Sequence, residues 1–286
     1  KLDTITSIQK YDGIHYKRDD LFAPYGDING GKVRQTIEII KNCSVEPGII
    51  ASTSVHSPSS TIFSRVAQEY NIPCIIAVGG TKPENLDKLP MMRLCKHFGA
   101  EIRIVAGHGM TAVIHARMRD IAEETGYLSI EMGELMETNP KEIFETTAEQ
   151  VENIPDELDN LIIPTGVAIQ TSGILIGLKR YNKKVKRIVC VCVGPTREKK
   201  IDGYFKDVYE DNVDNYNSFE MVAHKAAYSK AFNFEIEGEY MDDIYEGKAY
   251  DWLLKNIDYK NEKTMMWLVG KRPRLEDINY MMENKL

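Results

Sequence analysis

From position 48 onward, short apolar runs alternate with longer stretches in which apolar residues recur every three or four positions. The short runs read as buried strands and the longer stretches as helices with one apolar face. Gly48-Ile49-Ile50-Ala51 is a strand, and Pro58 to Tyr70 is a helix with Ile62, Phe63, Val66, Ala67 and Tyr70 on one face. Strand Ile72 to Val78, helix Asn85 to Phe98 and strand Glu101 to Val105 come next. Helix Thr111 to Thr125, closed by Gly126, leads into strand Tyr127 to Ile130. Past a loop from Gly133 to Pro140, the pattern predicts helix Lys141 to Asn153, strand Leu161 to Pro164, helix Thr171 to Tyr181 and an almost wholly apolar strand, Arg187 to Val193. Ile201 to Asn217 is acidic and aromatic with weak periodicity, and takes no assignment. A loop from Tyr240 runs into a helix ending at Leu254, then strand Met265 to Val269 and helix Pro273 to Asn284.

Such alternation predicts parallel strands joined by right-handed crossovers. The expected architecture is a two-domain α/β protein with parallel-rich twisted sheets flanked by helices. Residues 48–129 form a small inserted domain, and 1–47 with 130–286 the large one. In such folds ligands bind at the carboxyl ends of strands, where a loop meets a helix N-terminus. Three loops qualify: Ser52 to Ser57, Thr165 to Ser172, and the loop around Lys32.

Composition adds bounds. With 286 residues, 43% hydrophobic and 28% charged, the chain is an ordinary globular protein with a sizeable core. No apolar run is long enough to cross a bilayer, and Lys1-Leu2-Asp3-Thr4 carries no signal-peptide core. Five cysteines at irregular spacing point to a reducing, cytoplasmic setting. Cys190 and Cys192 share one face of a strand and read as core, since no further Cys or His pair completes a metal site. A net charge of −7 argues against a general nucleic-acid binder. Lys179 to Arg187 is nonetheless strongly basic. By default it is a solvated helix end, and in second place a polynucleotide-binding surface.

Candidate chemistry centres on Asn29-Gly30-Gly31-Lys32-Val33-Arg34, between an extended segment (Ile14 to Leu21) and a helix from Val33 to Lys41. A lysine at a helix start sits where the dipole disfavours its charge, which inclines it toward nucleophilic amine chemistry. The hexapeptide alone reads more simply as a surface lysine after a Gly-rich turn.

Four pieces together resemble the fold-type-II pyridoxal-phosphate enzymes (the tryptophan synthase β-like fold), in the branch of 1-aminocyclopropane-1-carboxylate deaminase and D-cysteine desulfhydrase. Lys17-Arg18-Asp19-Asp20-Leu21 followed by Gly30-Gly31-Lys32-Val33-Arg34 is similar to that family's Schiff-base segment and implies Lys32 as the lysine that links to the cofactor. Ser54-Val55-His56 stands where the family has Ser-Asn-His, which implies a substrate-side role for Ser54, with Val55 in place of an asparagine that meets the ring hydroxyl. Read without the family, Ser54 is an N-cap and His56 a loop residue. Pro164 to Gly173 resembles the phosphate loop, which implies phosphate contacts at Thr165, Gly166, Gln170 and Thr171, although Val167, Ala168 and Ile169 replace small or hydroxyl residues. Asp243-Ile244-Tyr245-Glu246-Gly247-Lys248-Ala249 resembles the deaminase's Tyr-Glu-Gly-Lys segment. The resemblance implies that Tyr245 lies by cofactor and substrate, and that Glu246 faces the pyridine nitrogen and keeps it protonated. Ile201 to Tyr240 does not match, and Tyr228 and Tyr240 are the candidates for a second active-site tyrosine.

The resemblance implies pyridoxal 5'-phosphate as cofactor, a homodimer, and a lyase or deaminase acting on an amino acid through an aldimine and a Cα carbanion. Lys32, Ser54 and Tyr245 are the proton-moving candidates. A second reading keeps the cofactor but has a decarboxylase or lyase work on an amino-acid group attached to a nucleotide or viral DNA base. A third is a non-catalytic member that binds a ligand.

Overall fold

The computed structural model describes residues 5–130 and 140–283. Most of the expected loop from Gly133 to Pro140 lies outside them. In chain order the elements are β1 (Ile8–Tyr11), β2 (Ile14–Arg18), α1 (Gly31–Asn42), β3 (Ile49–Ser52), α2 (Pro58–Glu69), β4 (Cys74–Gly79), α3 (Pro90–His97), β5 (Glu101–Ala106), α4 (Thr111–Thr125) and β6 (Leu128–Ile130). They continue with α5 (Pro140–Glu149), β7 (Glu157–Thr165), α6 (Ile169–Arg180), β8 (Lys184–Cys192), α7 (Glu198–Tyr209), β9 (Glu220–Ala223), β10 (Glu235–Ile236), β11 (Glu239–Tyr240), α8 (Tyr245–Asn256), β12 (Thr264–Leu268) and α9 (Leu275–Glu283).

The chain packs as two compact units, Lys1–Phe22 with Pro140–Lys271, and Ala23–Asn139 with Arg272–Leu286. The first holds a six-stranded sheet in the order β1-β2-β12-β7-β8-β9, parallel except for the β1–β2 pair. Central strands of such a sheet are covered on both faces, so they are apolar throughout rather than alternating. Leu161, Ile162 and Ile163 of β7 and Met265, Met266 and Trp267 of β12 are accordingly fully buried. The second unit holds an all-parallel sheet in the order β5-β4-β3-β6.

Packing in the structure departs from the expected domain boundaries. Residues 23–47 and the last helix fall in the second unit. Helix α1 buries Val33, Ile37 and Ile40 and packs on α2, while α9 packs on α3. The amphipathic faces decide membership, and position along the chain does not.

Three elements also differ. The helix expected from Asn85 to Phe98 is a short 3-10 turn, Pro83–Lys88, followed by α3. Pro90 disfavours helical backbone at the preceding residue, and Leu89 is extended at φ −97°, ψ 113°. Part of the stretch that took no assignment is α7, which buries Ile201, Tyr204 and Phe205. Strand β9 extends the large sheet beyond β8. The paired cysteines, 190 and 192, are buried and free, as expected of core.

Candidate active site

In the second unit, Gly30 is the N-cap of α1 at φ 98°, a backbone conformation that glycine adopts without penalty. Lys32 is therefore the second residue of the helix, where the first-turn N–H groups make a positive charge unfavourable. Its side chain as a whole is only half-buried, but its amine is enclosed, and that burial lowers its pKa to about 8. Nζ donates to Ser59 Oγ at 2.8 Å. Ser59 was not among the sequence candidates. It is the second residue of α2, placed by the Ser57 N-cap, which accepts from Ser59 N, and by Pro58. Ser57-Pro58 was a legible helix start, but nothing local showed that the next serine meets Lys32.

Ser54 is exposed, and its Oγ accepts from His56 N at 3.3 Å. It is not the cap of α2. Ser52 and Thr53, at the carboxyl end of β3, carry buried hydroxyls without a hydrogen-bond partner among the described residues, and Val55 is buried beside them in sequence.

In the first unit, the carboxyl ends of three neighbouring strands, β2, β12 and β7, supply the site. β7 ends at Thr165, whose buried Oγ1 lies 2.9 Å from Thr171 Oγ1. Between them α6 opens without a side-chain cap, on Ala168 in the left-handed region at φ 69°. Its first-turn N–H groups have no intrahelical acceptor, which is how a helix start receives a phosphate. Gln170 Nε2 donates to Asp19 Oδ2 at 2.9 Å. With that amide nitrogen committed, Gln170 offers a phosphate its backbone rather than its side chain. Asp19, just past β2, also accepts from Trp267 Nε1. Gly166 is needed here because a Cβ would come within 3.0 Å of the Tyr245 ring.

Tyr245 and Glu246 begin α8. Asp242, missed from sequence, holds the turn leading into it by accepting from the backbone N–H of Ile244 and Tyr245 at 3.0 and 2.8 Å. Glu246 is 1% exposed. Its Oε1 accepts from Val269 N at 2.7 Å and Gly270 N at 3.1 Å, just past β12. Its Oε2 is buried with no partner among the described residues. Burial and the nearby Asp242 charge raise this carboxyl well above the usual range, against the backbone N–H donors of Val269, Gly270 and Glu246 itself, which lower it. A buried oxygen without a donor is costly unless something brings one, so Glu246 fits a cationic N–H such as a protonated pyridine.

The basic stretch is not an open cationic surface. Lys179, Arg180, Lys183, Lys184, Lys186 and Arg187 pair with Asp211, Glu145, Asp156, Glu157, Asp159 and Glu220 respectively. Acids from distant parts of the chain neutralise it. No helix among the described residues is long and apolar enough to cross a membrane, and no cluster of metal ligands occurs among them.

Loss of the Ser59 acceptor has a directional consequence. The Oγ favours the charged form of the amine it accepts from, so Ser59→Ala moves the apparent pKa of Lys32 below about 8. The pH dependence of Lys32 modification by an aldehyde reads this out, and an unmoved or raised midpoint refutes the contact.

Comparison with known proteins gives the arrangement its context. Residues 2–251 match the family described as pyridoxal-phosphate dependent enzyme. An O-seryl-dTMP PLP-dependent decarboxylase of Salmonella phage ViI is 24% identical over 336 aligned residues, covering 92% of this chain and 79% of that protein. Among solved structures, an ACC deaminase homologue superposes with a TM-score of 0.76 at 20% identity, over 99% of this chain and 95% of its own. Threonine deaminase isoform 2 from Solanum lycopersicum gives 0.64 at 14% identity, over 97% and 87%. Maize serine racemase gives 0.62 at 14%, over 98% and 92%. Pyridoxal 5'-phosphate is accordingly the cofactor. The chain belongs to the pyridoxal-phosphate dependent enzymes of fold type II.

Proposed function

We propose that this enzyme is a decarboxylase acting on an amino-acid group carried by a pyrimidine nucleotide, of the O-seryl-dTMP kind. The observation that carries this reading is the match, over 92% of the chain, to a phage decarboxylase with that substrate. Deamination or β-elimination of a free amino acid is the second reading. It is favoured by the Tyr245-Glu246-Gly247-Lys248 segment and by the fold shared with the deaminase homologue.

Pyridoxal phosphate, when bound, draws electrons from Cα of an attached amino acid and so stabilises the charge left when a bond there breaks. In this chain Lys32 Nζ is the amine that takes the aldehyde. Glu246 Oε2 takes the ring N–H. The α6 start, with Thr165, Gly166, Gln170 and Thr171, takes the phosphate. Val55 gives no hydrogen bond where the resemblance expects an asparagine, so the pocket is poorer in donors on that side. The bond between Cα and the carboxylate carbon breaks, carbon dioxide leaves, and its electron pair stays on Cα. A proton then returns to Cα; Lys32 Nζ, hydrogen-bonded to Ser59 Oγ, is the first candidate to deliver it, and Ser54 Oγ and the Tyr245 hydroxyl are the others.

Incubating the holoenzyme with O-seryl-dTMP is expected to release carbon dioxide and leave the amine on the nucleotide. 1-Aminocyclopropane-1-carboxylate and D-cysteine, run in parallel, are expected to give no ammonia. Ammonia from either of these, with no carbon dioxide from the nucleotide, reverses the order of the two readings.

A further inference from the structure

We propose that the loop from His224 to Phe232 is a docking surface for single-stranded DNA, on which Tyr228 stacks a base next to the reacting nucleotide and Lys225 and Lys230 meet its phosphates. This rests on the nucleotide-borne substrate proposed above.

The loop belongs to the part of the chain that departs from the family pattern, Ile201 to Tyr240, and it lies against the site in the first unit. Tyr228 is 50% exposed, yet its ring meets that of Tyr245 edge-on with centroids 6.3 Å apart. Lys248 Nζ lies over the ring at 5.6 Å from its centroid, and the exposed half of the residue presents the ring to solvent beside the residue that begins α8. Every base has a π-face, so stacking of this kind holds a strand without reading its sequence.

The loop is held at both ends and in the middle. His224 N donates to Cys192 O at 3.0 Å, and the His224 ring lies 3.1 Å from Asp251 Oδ2. Phe232 N donates to Asp243 O at 2.8 Å. Lys230 N donates to Ala227 O at 3.0 Å, closing a four-residue turn with Tyr228 and Ser229 at its centre. Lys248 is fully buried, and its Nζ donates to Tyr228 O at 2.7 Å. Gly247 permits the close approach, because a Cβ there would stand 2.2 Å from Phe232 O. A surface fixed in this way loses little conformational entropy when it binds.

Charge selects this loop over the basic stretch. All six cations of 179–187 are paired, and the hollow of about 650 Å³ that Lys179, Lys183, Lys184 and Lys186 help to line sits at the amino ends of β7 and β8, away from the strand ends that build the site. Lys225 and Lys230 are exposed, and neither has an acidic partner among the described residues. Free lysines gain by releasing counterions from phosphates, whereas paired ones must first give up an acid.

The test is fluorescence anisotropy of the holoenzyme with a labelled oligothymidylate of about ten nucleotides, a length within the usual single-strand site size. Tyr228→Leu is expected to weaken binding about tenfold or more, and Tyr228→Phe to restore it, since the ring supplies the stacking. The double variant Lys225→Gln, Lys230→Gln is expected to reduce the slope of log K against log salt by about 1.4, from two single-strand phosphate contacts. Retained cofactor absorbance checks that each variant is folded. No binding, variants that bind like the parent, or thymidine monophosphate bound as tightly as the oligomer each overturn the docking surface. Carbon dioxide released from O-seryl-dTMP without strand binding removes the surface and leaves the reaction standing. Strand binding that depends on Tyr228, with no carbon dioxide, supports the surface and removes the reaction.

Discussion

Lys32→Ala is expected to abolish covalent retention of pyridoxal phosphate. After borohydride treatment the parent chain keeps the label through denaturation, and the labelled peptide contains Lys32. The variant keeps none. Activity falls with it, by roughly 10²- to 10⁴-fold for the proton-transfer role alone. The expectation rests on the amine's surroundings rather than on its being a lysine. Thirty-six Lys and Arg residues are present, but Lys32 combines a helix start, an enclosed Nζ and a hydroxyl partner at 2.8 Å. Burial lowers its pKa to about 8. The neutral amine is the nucleophile, so attachment to cofactor-free protein slows by roughly tenfold per pH unit below that value and levels off above it. An ordinary lysine would still be gaining rate at pH 10. Label retained in Lys32→Ala, or a midpoint near the ordinary lysine value, places the linkage elsewhere.

What sequence made legible here was mostly local. Gly30-Gly31 before Lys32 marked a helix start, and the structure has one. Tyr245-Glu246 was placed ahead of a helix, and those residues do begin α8. The apolar runs of β3, β4, β7, β8 and β12 were legible because parallel strands are buried on both faces. What stayed hidden depends on approach through space. Ser59 meets Lys32 from 27 positions away. Asp19 holds Gln170 from 151 positions away. The acids that neutralise 179–187 come from α5, β7, β9 and the segments around them, so a count of cations along the chain overstated the surface charge. Two misses were readable. Pro90 inside an expected helix marks a break, and Ile201, Tyr204 and Phe205 stand at helical spacing within an acidic stretch.

Glu246→Gln is expected to separate catalysis from stability. Glutamine keeps an oxygen for Val269 N and Gly270 N, which now meet Oε1 at 2.7 and 3.1 Å. The other position becomes an N–H donor where the carboxylate had a free, buried oxygen. A donor cannot accept from a protonated ring nitrogen, so the ring loses its proton and much of its pull on Cα. A hydrogen bond to a charged group contributes about 1.5–3 kcal/mol, which sets the loss of rate at roughly 10- to 150-fold. Stability moves the other way in cofactor-free protein. Folding raises the Glu246 pKa well above its ordinary value, chiefly by burial and next through Asp242. The stability it contributes is complete below the unfolded pKa and is lost as pH rises through the folded one. Glutamine has no such titration, so without cofactor the variant gains on the parent as pH rises above about 4.5. With cofactor bound, the opposed positive charge repays the buried carboxylate, and the parent is the more stable. Thermal unfolding of both proteins at pH 5 and pH 8, with and without pyridoxal phosphate, measures the crossing. A variant that is less stable under all four conditions, or one that keeps full activity, makes Glu246 a structural carboxyl only, because a group that merely held Val269 and Gly270 in place would show no dependence on the cofactor's charge.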